Sequence, residues 1–99
     1  MNNPALFVAE FEISDAEGMT PYLTQIGATL EPFGGRLVSL DHNVVSLEGD
    51  TVKGGMAVIA FDDMEKAQAW YHSAAYQAII PIRQKAARTR AYIIDGLAQ

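Results

Sequence analysis

The hexapeptide MAVIAF, residues 56–61, is apolar on both of the faces that a β-strand presents. Side chains alternate along a strand, so Met56, Val58 and Ala60 point one way and Ala57, Ile59 and Phe61 the other. A strand with one side in water alternates between apolar and polar residues. This one does not, and so it has to be covered twice. Residues 5–13, ALFVAEFEI, set Phe7, Ala9, Phe11 and Ile13 against Leu6, Val8, Glu10 and Glu12. In RAYIID, residues 90–95, Ala91 and Ile93 oppose Tyr92 and Ile94, and in RLVSL, residues 36–40, Leu37 faces away from Val38 and Leu40.

Helical spacing fills the gaps between these strands. Ser14 and Asp15 can cap a helix in which Met19, Tyr22, Leu23, Ile26 and Leu30 recur at intervals of three and four. Proline has no N–H to give, so Pro21 predicts that the regular helix starts close to it, after a short initial turn. Pro32 and Gly34–Gly35 end it. After RLVSL, the interruption Asp41-His42-Asn43 is followed by VVSLE, residues 44–48, which reads either as one bent, bulged strand or as a hairpin. Gly49–Asp50 and Gly54–Gly55 bracket a turn before MAVIAF. Asp62 and Glu65 have capping-box spacing, with Asp63 as the alternative cap, ahead of a helix carrying Met64, Ala67, Trp70 and Tyr71. Ser73 caps a second piece, AAYQAI, and Pro81 opens a last one, PIRQKAART. RAYIID is the final strand, closed by Gly96.

The order β-α-β-β-α-β predicts an α+β, ferredoxin-like domain over residues 1–99, a four-stranded antiparallel sheet with two main helices. Two helices cover one sheet face, and the other is still apolar. The chain has no segment left over for it, so the expected cover is a second copy, giving a homodimer through the helix-free sheet face. The alternative is a monomer whose loops and strand edges fold over that face.

Charge and composition narrow the function classes. The chain has no cysteine, which removes disulfides and thiolate chemistry. Net charge is −5, yet Arg83, Lys85, Arg88 and Arg90 fall close together. Overall acidity argues against a nucleic-acid partner, because affinity for a polyanion comes mostly from neutralising phosphates. The apolar runs are too short to span a bilayer, and MNNPALFVAE lacks the basic segment of a signal peptide, so no membrane is expected and the expected compartment is the cytoplasm. His42 and His72 stand alone, without HxxH or HExxH spacing, and predict no metal; Gly34–Gly35 and Gly54–Gly55 lack the context of a nucleotide loop, and no cofactor is expected.

Several separated motifs, GGR at 34–36, LEGD at 47–50, WYHS at 70–73, YQAIIPIR at 76–83 and the final YIIDG, together resemble the bacterial domain-of-unknown-function family 1330 over about residues 4–97. The resemblance implies a subunit of the dimeric α+β barrel superfamily, in which two sheets pack face to face and which includes cofactor-independent monooxygenases. It implies no reaction. The family pattern singles out Gly34, Gly35, Arg36, Glu48, Gly49, Trp70, Tyr71, Ser73, Tyr76 and Arg83. Two departures stand out: Ala75 where members often carry Glu, and Thr51 where many carry Trp.

Within that set, His72 and Tyr76 are the candidate catalytic residues. Histidine exchanges a proton near neutrality, while the competing account of His72 is a helix-end residue meeting the last carbonyls. Arg36 and Arg83 can hold an anion, and Glu48, Trp70, Tyr71 and Ser73 complete the candidate ligand-binding set. The rings serve equally well as core. His42 reads as part of a turn. Three functions follow: a homodimer binding a small organic molecule, anionic where the arginines hold it; a cofactor-independent oxygenase or isomerase; and a non-catalytic assembly module.

Overall fold

The computed structural model describes residues 3–97. The strands are β1 (Ala5–Ile13), β2 (Arg36–Asp41), β3 (Gly55–Phe61) and β4 (Ala87–Asp95), and the helices α1 (Ala16–Leu30), α2 (Met64–Tyr71) and α3 (Ala74–Ala86). The four strands form one antiparallel sheet in the order β2-β3-β1-β4. This is the ferredoxin-like α+β arrangement expected from the sequence, with its second crossover divided between α2 and α3.

Register settles which residues share a face. Phe7 pairs with Ile59 on one side and Ile93 on the other, while Val8 pairs with Val58 and Tyr92. Phe7, Ala9, Ile59 and Phe61 lie on the helix-covered face and are buried. Leu6, Val8, Met56, Val58, Tyr92 and Ile94 lie on the other, where Tyr92 and Ile94 are exposed. The sequence expectation that Leu37 and Leu40 face apart is overturned. A bulge between Leu37 and Ser39 restores the phase, so Leu37 pairs with Ile59 and Leu40 with Ala57, both on the helix side.

The helices run further than their prolines suggest. Asp15 caps α1 by accepting from the Gly18 N–H at 3.0 Å, and the helix passes through Pro21 rather than starting beside it. α3 likewise continues through Pro81, capped by Ser73, whose hydroxyl accepts from the Tyr76 N–H at 3.3 Å. Glu17 and Gln77, whose carbonyls lose their i+4 donors to these prolines, are exposed, so water can serve them. α2 is capped by Asp63, which accepts from the Lys66 N–H at 2.8 Å; Asp62 instead faces Arg36 at 3.3 Å and Lys66 at 3.5 Å.

Residues 44–48 form no strand. After β2 the chain runs irregularly to Gly54, with Val45 80% and Leu47 87% exposed. Alternation alone predicted a strand there, but the segment does not pair with the neighbouring outer edge of β2. Gly54 ends the excursion at φ 93°, where a Cβ would strike the Phe11 carbonyl oxygen.

The core centres on Trp70, which is fully buried. Its ring lies 4.0 Å from that of Tyr76 and meets Phe7 edge-on at 5.0 Å. The indole N–H donates to the Thr29 hydroxyl at 3.0 Å, and Thr29 donates on to the Ile26 carbonyl at 2.7 Å. Among the described residues no helix is long and apolar enough to cross a membrane.

Candidate functional site

α1 and α3 pack side by side, and β2 lies at the far edge of the sheet beyond them. Between α1 and the outer strands the layers part around a cavity of about 140 Å³. An apolar cavity of about that size accepts a benzene-sized guest. Its inner wall is made of buried Phe7, Ala9, Met19, Tyr22 and Ile59. Exposed Leu23, Leu37, Leu40 and His42 form its outer rim. The β2 bulge contributes directly, because without it only one of Leu37 and Leu40 could face inward.

Two buried polar atoms close behind this greasy wall make no hydrogen bond. Arg83, on the α1-facing side of α3, is 8% exposed, and its Nε makes no hydrogen bond. Thr89, on the helix side of β4, has a buried Oγ1 that is equally unpaired. Such atoms are rare in folded proteins, since each forfeits its hydration without return.

The guanidinium carbon of Arg83 lies 5.8 Å from the Tyr22 ring centre. The hydroxyls of Tyr22 and Tyr76 are 2.8 Å apart. Burial pushes both phenols above their ordinary value, and the positive charge of Arg83 pulls against that rise without reversing it. Both tyrosines therefore stay protonated at neutral pH and cannot neutralise the arginine.

Of the residues singled out from sequence, the structure brings Arg83 to the cavity and sets Tyr76 against it through the Tyr22 hydroxyl. Trp70 is core. Ser73 is the cap of α3, and its hydroxyl donates to the Trp70 carbonyl at 2.7 Å. Tyr71 lies on a separate shallow groove with Met64, Gln68 and Tyr92. His72 ends α2 on the surface, its ring 5.3 Å from that of Tyr71, and lines neither place. Arg36 pairs with Asp62 rather than Glu48, which sits in the exposed loop. Arg88 and Arg90 lie on the helix-free face, away from buried Arg83, so the four clustered bases do not form one patch.

Sequence reasoning missed Tyr22, Thr89 and His42. Tyr22 was visible only as one member of an apolar stripe, and nothing local marked Thr89. His42 read as a turn residue, but its ring meets Phe11 edge-on at 5.8 Å at the cavity rim.

Comparison with known proteins bears on this geometry. The family model described as a domain of unknown function, DUF1330, matches residues 4–97. No curated protein matches the chain. A crystal structure of a protein of unknown function from Rhodopseudomonas palustris superposes with a TM-score of 0.78 at 17% identity, covering 100% of this chain and 86% of that one. SnoaB, a cofactor-independent oxygenase from Streptomyces nogalater, gives 0.60 at 10% identity, covering 98% and 96%. A dimeric protein of unknown function and ferredoxin-like fold from Bacteroides fragilis gives 0.60 at 11%, covering 93% and 95%. At these identities the likeness establishes the fold.

Proposed function

The chain belongs to the DUF1330 family, and from that premise we propose that it is a homodimeric protein holding one small organic molecule per subunit in the cavity between α1 and the sheet. The observation that carries this reading is the cavity itself: an apolar space closed on its inner side by buried residues, with the buried Arg83 among the residues that line it. Ligand sites are commonly of this make-up, mostly apolar with a few placed polar groups.

The dimer part rests on the helix-free face. Leu6, Val8, Met56, Val58, Tyr92 and Ile94 make an apolar centre there, and at its end Glu10 and Glu12 stand opposite Arg90 and Arg88. A patch with equal numbers of both charges at its margin is suited to meet its own copy across a two-fold axis. That a neighbour of ferredoxin-like fold is described as dimeric supports a dimer here.

Cofactor-independent oxygenation is the second reading, favoured by the likeness to SnoaB and by a histidine at the cavity. In it, Tyr22, held by Tyr76, orients the substrate, and His42, which lines the cavity where His72 does not, accepts its proton.

A melting-temperature screen against small aromatic and aliphatic acids, phenols and amides tests the binding reading, since a molecule that prefers the native state raises its stability. Ala57 also lines the cavity, and hits whose effect disappears when Ala57→Phe fills it support the reading. Hits unaffected by that substitution would place the ligand elsewhere. Dioxygen uptake with each hit, in wild type and His42→Ala, tests the oxygenase reading.

A further inference from the structure

We propose that the molecule held in the cavity is an organic monoacid, a compact apolar body ending in a carboxylate that Arg83 and Thr89 receive. This rests on the cavity being a small-molecule site and adds the charge of its ligand. A guanidinium withdrawn from water needs an anion, because an unpaired buried charge is far costlier than an unpaired neutral group. Among the described residues no carboxylate forms an ion pair with Arg83; the acid in the described ion pairs is Asp62, which faces Arg36 and Lys66.

The other groups around the guanidinium cannot replace an anion. Tyr22 and Tyr76 face it as neutral phenols, His42 on the rim carries no negative charge, and Phe7, Met19 and Ile59 carry none either. The Nε edge of an arginine is one of the two donors that grip a carboxylate side-on, and here that edge is the unpaired one. Thr89 lines the same cavity and holds an unpaired hydroxyl just behind its surface. The rest of the lining is apolar and suits the carbon body. A single arginine balances one negative charge, which favours a monoanion over a phosphate dianion.

The test compares phenylacetate with 2-phenylacetamide, which match in shape and differ in charge, by calorimetric titration of the intact protein. Wild type should bind the acid at least about tenfold more tightly, as expected for a hydrogen-bonded charge pair. Arg83→Met should abolish that preference, weakening the acid far more than the amide. Thr89→Val, which retains the guanidinium, should weaken the acid about threefold or more; it keeps the question answerable if Arg83→Met does not fold. Equal binding of acid and amide overturns the carboxylate inference and leaves the cavity a neutral-ligand site. Binding of neither overturns both the inference and the reading beneath it.

Discussion

The Tyr22 and Tyr76 hydroxyl oxygens lie 2.8 Å apart in the interior, tying α1 to α3 across 54 residues of chain. This bond forms one side of the setting of Arg83, and its phenols stay protonated because burial disfavours their anions.

That has a consequence at high pH. An acid whose folded pKa is raised keeps its proton in the native state while the unfolded chain loses it. Its stabilising effect is complete below the unfolded value of about 10 and declines as pH rises above it. Denaturant midpoints should therefore fall steeply above about pH 10 in wild type and less steeply in a Tyr22→Phe, Tyr76→Phe double variant. Equal slopes would mean that these phenols ionise normally in the fold.

Thr29 holds the indole N–H of the buried tryptophan. Thr29→Val keeps the volume and strands that donor, so it should cost about 1–3 kcal/mol in urea denaturation. Trp70 is the only tryptophan, so its emission should also report the change directly. No loss of stability would mean that the N–H finds another acceptor.

α3 carries Pro81 in its interior with the ring exposed. Pro81→Ala restores a donor to the Gln77 carbonyl and should stabilise the protein by about 1–2 kcal/mol, less than the full helix penalty because proline also restrains the unfolded chain. A destabilised variant would indicate that α3 breaks at this point.

These results separate what was legible in the sequence from what was not. Strand faces could be read because period-two alternation is local, and MAVIAF announced a doubly covered strand before any pairing was known. Pro21 and Pro81 misled because proline's cost is local while the gain from packing α1 against α3 is not. Residues 44–48 misled in the opposite way, having a strand's pattern but leaving the adjacent β2 edge unpaired. Arg83 could be picked out as a cation, but its burial could not, since that depends on Tyr22 from α1 and Thr89 from β4. The cavity arises from a bulge in β2 that turns Leu37 and Leu40 the same way, and RLVSL does not reveal where a bulge will fall.

Val58 lies on the helix-free face beside Val8. Val58→Glu should leave the helix-side core intact and convert the protein from dimer to monomer in sedimentation at micromolar concentration, because a charge is placed in the middle of the proposed seam. A wild-type protein that already sediments as a folded monomer removes the seam from the account.

The most direct measurement of the central claim is a ¹⁵N-resolved NMR titration with phenylacetate. The account predicts that amide shifts concentrate on Tyr22, Ile26, Leu37, Leu40 and Thr89, which surround the cavity, while Glu48 and His72 stay still. Shifts gathered instead along Met64, Gln68, Tyr71 and Tyr92, or a saturable response that leaves Tyr22 and Thr89 untouched, would contradict it.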